Sequence, residues 1–377
     1  MSKPLISKAI ALFDDADEEL SKLEADINHS NEGDGSYKEL FAASHQHALA
    51  LDELRSAYFN DPDAADQLSI ALHAHNWHST KLLQSAFIEH ALRKPRGYPG
   101  DSKLMEIICE QHPLGKTKFA QQINNVYLQL PAAEAVRLRA RALEKRFEIL
   151  PPGAKVLNLA CGPALEVESF LAKFPDREVE FLLLDHDPLT RAVFGKRRAD
   201  ARKELALANA FRIMKGDLTI LKRRRHALGE PSFGEFNGLR KFLLPINYSK
   251  SKIQRNTYDL VYTSGLYDYV RYEPQTLLRG TTGLTNRLFS LVKPGGELLI
   301  GNFRLPGVVN NPHRPHHRTM MDIYSDWRLI YRTDDEIRGF AAAIPKESIT
   351  CELFNESLAP IEVNGGSIAF LSIKRKI

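Results

Sequence analysis

Two features of this chain are spaced to hold a nucleotide: a run of small residues, Ala160-Cys161-Gly162-Pro163-Ala164, and a carboxylate, Asp185. Small and turn-forming residues let a ligand come close to the backbone. A carboxylate about 20 residues beyond such a turn can accept hydrogen bonds from both hydroxyls of a ribose. Together they point to a ribose-bearing cofactor. Groups able to move a proton gather elsewhere. Asp268 lies between Tyr267 and Tyr269 in SGLYDY, and HRPHHR at 313–318 brings His313, His316 and His317 together. A carboxylate or imidazole so placed can serve as a general base, and the imidazoles can also meet an acidic substrate. A third cluster, RKPRGYPGD at 93–101, packs the guanidinium of Arg96, the phenol of Tyr98 and the carboxylate of Asp101 into one turn. Its Pro and Gly residues make a rigid loop, and Asp101 equally suits the N-cap of a following helix.

The elements that must position these groups follow from periodicity. Val156 to Leu159 is a short apolar run suited to a buried parallel strand, and Leu165 to Phe174 carries apolar residues at helical spacing. The helix that opens after the small-residue turn aims its free N–H groups and positive dipole end at whatever sits over that turn. Val179 to Leu184 reads as a second buried strand that delivers Asp185. Strands are expected near 155–160, 179–184, 210–214, 258–263, 296–301, 349–354 and 367–374. The last two are joined through Asn364-Gly365-Gly366, a turn signal that predicts an antiparallel hairpin. Before them the chain reads as helices: Leu5–Ile27, Tyr37–Phe59, Ala64–Leu92, Leu104–Cys109 and Val126–Ile149, closed by Pro151-Pro152-Gly153. The division expected is a helical domain at 1–120 and an α/β domain at 121–377, with a Gly-, Ser-, Lys- and Asn-rich insertion at 230–256 as a substrate-side loop.

NLACGPALE followed by LLLDHDP resembles motifs I and II of class I S-adenosylmethionine-dependent methyltransferases, and no G-x-G-x-x-G fingerprint is present. KGDLTIL, YDLVYTSGLYDYV and LVKPGGELLIGNF are similar to later segments of the same family, in the same order. The resemblance implies a seven-stranded Rossmann-like methyltransferase sheet behind an N-terminal helical bundle, with S-adenosyl-L-methionine as cofactor. It implies that Asn158, Ala160 and Gly162 meet the methionine end, that Asp185 and His186 meet the ribose, and that Asp217 and Leu218 border the adenine. Ser264, Gly265 and Leu266 would line the methyl-transfer centre. The chain departs from the family where Asn158 replaces a common acidic residue and where Ala160 and Ala164 replace glycines. RGYPGD, SGLYDY and NFR with DWRLIYR resemble a bacterial subgroup that makes the extracellular factor 3-hydroxypalmitic acid methyl ester. That implies Arg96, Tyr98 and Asp101 as parts of a lid, Arg96 and Tyr98 among them touching the cofactor. A sulfonium methyl donor is already activated, so a carboxylate acceptor would need no base. A hydroxyl or amine acceptor would need one, with Asp268, Tyr98 and His316 as candidates.

Composition bounds the rest. The 377 residues, 43% of them hydrophobic, suffice for one large core and a smaller accessory region. The beginning of the chain lacks a basic-then-apolar signal pattern, and no run of about 18 apolar residues could span a bilayer, so a cytoplasmic protein is expected. Cys109, Cys161 and Cys351 are too widely separated to suggest a disulfide framework or a cysteine metal site. The net charge of +4 is concentrated in KRR at 196–198 and KRRRH at 222–226. These runs lack interleaved aromatics, which argues against a nucleic-acid acceptor. His73, His75 and His78, with His45 and His47, include only one pair at helical ligand spacing, so no metal is expected. Tyr324, Trp327 and Tyr331, at helical spacing, read as core. The function expected is methylation of a small molecule, on O or N, including a carboxylate such as that of a hydroxy fatty acid. A non-catalytic cofactor-binding sensor or scaffold, and a nucleic-acid methyltransferase, are the other readings; a homodimer stays open.

Overall fold

The structure is a computed structural model that describes residues 3–29, 34–57, 63–185, 190, 211–215, 253–270, 280–305, 317–361 and 366–377. Contacts divide the chain into two compact units. The first comprises Met1–Val136, Arg225–Ser232 and Val308–Arg328; the second comprises Arg137–Arg224, Phe233–Gly307 and Leu329–Ile377.

The first unit is helical. Helices α1 (Lys3–His29) and α2 (Asp34–Ala57) are followed by α3 (Ala64–Ala74), α4 (Asn76–Thr80), α5 (Ala86–Arg93), α6 (Ser102–Glu110), α7 (Lys118–Leu128) and the start of α8 (Pro131–Glu148). Leu5, Ala9, Phe13, Ala16, Leu20 and Ile27 are all buried, so α1 turns one apolar stripe inward at three- and four-residue steps. The single helix expected over Ala64–Leu92 is instead α3, α4, a 3-10 turn at Leu82–Gln84 and α5. New helix starts cause the breaks. His75 is extended and its side chain accepts from the Trp77 N–H, and Ser85 accepts from the Ile88 N–H. The helix expected over Val126–Ile149 likewise stops at Leu128 and restarts at Pro131, whose fixed φ and missing N–H suit a first helical position. The chain returns to this unit through His317–Thr319 and a π-turn at Met320–Tyr324. Trp327 and Tyr324 are buried, but the chain beyond Tyr324 is not helical, so Tyr331 is not on a helix face with them. Tyr331 instead sets its ring edge-on to Phe303 in the second unit.

The second unit is α/β. Strand β1 (Ala154–Leu159), helix α9 (Leu165–Lys173), β2 (Val179–Asp185), β3 (Phe211–Lys215), β4 (Tyr258–Thr263), α10 (Gly280–Phe289), β5 (Val292–Phe303), α11 (Asp334–Arg338), β6 (Ile349–Asn355) and β7 (Ile368–Arg375) follow in chain order. They form one mixed sheet in the order β3-β2-β1-β4-β5-β7-β6. The first four neighbour pairs are parallel, whereas β7 runs antiparallel to both β5 and β6. Both faces are covered, which is why the central strands read as continuous apolar runs rather than alternating ones. Leu157, Leu182, Leu184, Val261 and Leu298 pack on one face with Leu284, Leu288 and Phe340. On the other face Phe147 of α8 sets its ring against Phe170 of α9, Phe181 of β2 and Tyr262 of β4, with centroids 5.1–5.6 Å away. The KPGG segment lies inside β5 rather than before it, and pairing with β4 shifts register there. Gly296 has to be glycine, because a Cβ would sit 2.9 Å from the carbonyl oxygens of Tyr258 and Asp259.

Candidate functional site

The carboxyl ends of β1, β2 and β4 meet at the small-residue turn, the place where ligands settle in open parallel sheets. Ala160, Gly162 and Ala164 all have positive φ, at 56°, 55° and 49°. Three left-handed residues in five fold the chain back on itself before α9 begins. Ala pays for this conformation with Cβ strain of roughly 1 kcal/mol that Gly avoids. A Cβ built at Gly162 meets no atom within 4 Å, so the turn faces open space there. Two hydrogen bonds tie the turn to β2: Cys161 N–H donates to the Leu184 carbonyl at 3.1 Å, and Gly162 N–H donates to Asp185 Oδ2 at 2.9 Å. Asp185 is only 3% exposed. Its carboxylate is therefore both fixed and adjacent to the gap above Gly162.

A buried polar group lies beneath the turn. Asn158 and Tyr262 are register partners on β1 and β4. Glu166, in the first turn of α9, reaches back to both: the Tyr262 hydroxyl donates to its Oε1 at 2.8 Å, and Asn158 Nδ2 donates to the same oxygen at 3.3 Å. Asn158 is fully buried, yet its Oδ1 has no partner among the described residues. Burial raises the Glu166 carboxyl above its usual range, against the pull of the Tyr262 hydroxyl, its own backbone N–H and the Arg139 guanidinium. Arg139, on the part of α8 that belongs to this unit, donates through Nη1 to the Ser264 carbonyl. It also lies 3.5 Å from where a Cβ on Gly265 would be.

Past β4, Ser264, Gly265 and Leu266 lead into a 3-10 turn at Tyr267–Tyr269. Asp268 is 2% exposed, and its Oδ1 accepts the Phe303 N–H at 2.7 Å. Its carbonyl accepts from Ile330 N–H at 2.8 Å. Arg332, buried, donates to the Tyr267 carbonyl at 2.7 Å and also binds Asn302 Oδ1 and the Val270 carbonyl. Burial pushes Asp268 up to about 7, with the Phe303 N–H, Arg139 and Arg332 pulling the other way. Asp268 is thus a latch joining the segment after β4 to the end of β5.

The remaining sequence candidates are spread out. Arg96 and Tyr98 are in the helical unit. Arg96 Nη1 donates to Ser102 Oγ and its Nε lies 3.9 Å from Asp101 Oδ2, while Tyr98 is half-buried in the same loop. Asp101 is fully buried and N-caps α6, accepting from Lys103 N–H and Leu104 N–H at 2.9 and 3.0 Å. It also holds His90, whose Nε2 lies 2.8 and 2.9 Å from the two carboxylate oxygens. His317 Nε2 accepts the Ala132 N–H at 3.0 Å, which makes it a cap for the first turn of α8. His186, Asp217, Leu218, His313, His316, both basic runs and most of the 230–256 segment lie outside the described residues. Among the described residues no three His, Cys, Asp or Glu side chains come together to hold a metal ion, and no helix is long and apolar enough to cross a membrane. Sequence reasoning missed Glu166, Tyr262 and Arg139. The available signal was a carboxylate eight residues beyond Asn158, where the motif it resembles carries an acid.

No family model matches the chain, and no curated protein matches it. Solved structures do. A possible exported protein from Bordetella parapertussis superposes with a TM-score of 0.54 at 18% identity, over 89% of this chain and 97% of that one. A putative methyltransferase from Thermobifida fusca matches at TM-score 0.43 and 14% identity, over 73% of this chain and 94% of that one. The S-adenosylmethionine-dependent methyltransferase SibL, in its apo form, matches at TM-score 0.43 and 12% identity, over 97% and 96%. The Bordetella match establishes a shared fold and nothing finer.

Proposed function

We propose that this chain is an S-adenosylmethionine-dependent methyltransferase of class I fold acting on a small-molecule acceptor. The observation that carries the reading is the turn after β1. Gly162 opens onto free space, and its N–H is held by the buried carboxylate that ends β2. The antiparallel pairing of β6 with β7 agrees with the hairpin expected from the turn signal between them. The residues present fit the cofactor, since the site offers a fixed carboxylate, an uncovered glycine and an orphaned buried amide oxygen on Asn158.

In this reading Asp185, with His186, takes the ribose, Asp217 and Leu218 border the adenine, and the turn at 160–164 admits the methionine end. The cofactor supplies a methyl group already activated by the sulfonium charge, which leaves the protein the tasks of alignment and water exclusion. Ser264, Gly265 and Leu266 line the acceptor side. With its Oδ1 occupied by the Phe303 N–H, Asp268 acts as a positioning residue that fixes this segment. A carboxylate acceptor, such as that of a hydroxy fatty acid, asks no base of the protein and is consistent with that role. Calorimetric titration with S-adenosylmethionine tests the reading. Saturable binding to the wild type and its loss in Asp185→Ala are expected. No binding to the wild type, or undiminished binding to Asp185→Ala, would overturn it.

A further inference from the structure

We propose that the return segment of the helical unit, residues 317–328, is a strap that acid releases, held in place by three uncharged imidazoles: His73 on α3, His78 on α4 and His317 on the strap itself. All three belong to this one unit, so the device is independent of the methyl-transfer reading.

Each ring is used in a way that a further proton spoils. His317 Nε2 accepts the Ala132 N–H at 3.0 Å, so a proton on that nitrogen deletes the bond and sets two N–H groups against each other. His73 Nε2 donates to the Ile323 carbonyl at 3.2 Å, and His78 hydrogen-bonds to the backbone of the next residue, Tyr324. These two rings lie against each other with centroids 4.5 Å apart, so positive charge on both is repelled. His78 is buried and its Nε2 has no partner among the described residues, so a charged His78 would bury an N–H without an acceptor. Burial lowers both rings from their ordinary value, His78 to about 4. The surrounding charges do not reverse this. Asp326 favours a proton on His73, but it is paired with Lys94 and Arg328, both of which oppose one. Arg328 also binds Asp66, Arg318 binds Asp322, and Thr319 on the strap binds Asp52, which pairs with Arg55. Around Trp77, His75 is bonded to Asp14, and His47 to Glu19. Once the strap comes away, the rings recover their ordinary value of about 6.5 and take up protons that the closed form refuses. Release is therefore favoured as the pH falls below about 6.5.

Hydrogen exchange of the full chain, read by mass spectrometry at pH 7.5 and 5.5 as protection factors, tests this. Peptides covering residues 317–328 should be less protected than those of α7, in the same unit, because the strap opens without the whole unit unfolding. An imidazole that ionises only in the open form raises the opening constant about tenfold between these two pH values, so strap protection should fall at least about tenfold and further if more than one ring contributes. Glutamine keeps a donor for the Ile323 carbonyl at position 73 and an acceptor for the Ala132 N–H at position 317, and it does not titrate. The triple variant His73→Gln, His78→Gln, His317→Gln should therefore hold the strap at pH 7.5 and lose the fall at pH 5.5. If the triple variant does not fold, His78→Gln alone decides, since it should reduce the wild-type fall about tenfold. Strap protection equal to that of α7 at both pH values would overturn the proposal, as would wild-type strap protection that does not change with pH. A fall of the wild-type size in the glutamine variants would overturn it as well.

Discussion

Asp268 gives the sharpest test of the second unit. It is a buried carboxylate that burial pushes from an ordinary 3.8 up to about 7, while Phe303 N–H, Arg139 and Arg332 favour its charged form. The sign follows from linkage. The folded chain holds this proton more tightly than the unfolded one, so between about pH 4 and 7 the folded state binds more protons and stability falls as pH rises. A displacement of roughly three pH units, at about 1.4 kcal/mol each, corresponds to a loss on the order of 4 kcal/mol, complete once the pH passes the folded value. Asp268→Asn keeps the Oδ1 acceptor for Phe303 N–H and cannot ionise. The variant should therefore be insensitive to pH at this site, and its stability relative to wild type should climb from pH 5 to 8 and then level off. The constant offset depends on how the amide NH2 is housed; the slope does not. Urea unfolding followed by far-UV circular dichroism at each pH measures it. The tryptophans Trp77 and Trp327 are both in the helical unit, so their fluorescence identifies that unit's transition separately. Parallel stability curves for wild type and Asp268→Asn across pH 5–8 would refute the argument.

The helical unit should respond to pH with the opposite sign. Burial, with His73 beside it, lowers His78 to about 4, so the unfolded chain takes up a proton there first. Stability of this unit should fall as pH drops from about 6.5 towards 4, by roughly 3 kcal/mol at about 1.4 kcal/mol per pH unit, and His78→Gln should flatten the tryptophan-detected dependence. Asp101→Ala removes the acceptor for two N–H groups of α6 and for His90, and should cost about 1–2 kcal/mol in tryptophan-detected urea unfolding. Asp101→Asn, which retains one cap oxygen, should cost less.

The strands were legible because this sheet is covered on both faces, and runs such as Val156–Leu159 and Val179–Leu184 have no other way to be buried. The turn was legible for a related reason, since Ala160 to Ala164 offer nothing but small or turn-forming residues. Helix boundaries were harder. The break at His75 depends on an imidazole nitrogen accepting the Trp77 N–H, and histidine is outside the usual capping set of Ser, Thr, Asp and Asn. Pro131 did announce itself, and a stricter reading of the sequence would have started α8 there. The polar group under the turn left only one trace in the sequence, the eight-residue spacing of Asn158 and Glu166. Glu166 reads as the solvent-facing position of an amphipathic helix, and its main partner, Tyr262, is 96 residues away. Only the fold brings the two together.

That geometry also explains the asparagine. Asn158 looked like a loss, an amide where the resembling family carries an acid. With Glu166 drawn onto Tyr262 and 3.3 Å from the residue 158 side chain, a second carboxylate there would face the first across a hydrogen-bond distance. Two carboxylates so close and so buried cannot both be ionised, and one would have to keep its proton. An amide avoids the conflict: its Nδ2 donates to Glu166 and its Oδ1 still offers an acceptor to whatever enters the site. The carboxylate of this pair is in the first turn of α9, where it lies close to helix N–H groups that stabilise negative charge. Asn158 and Glu166 therefore make physical sense together, an amide beside a buried carboxylate rather than a second acid.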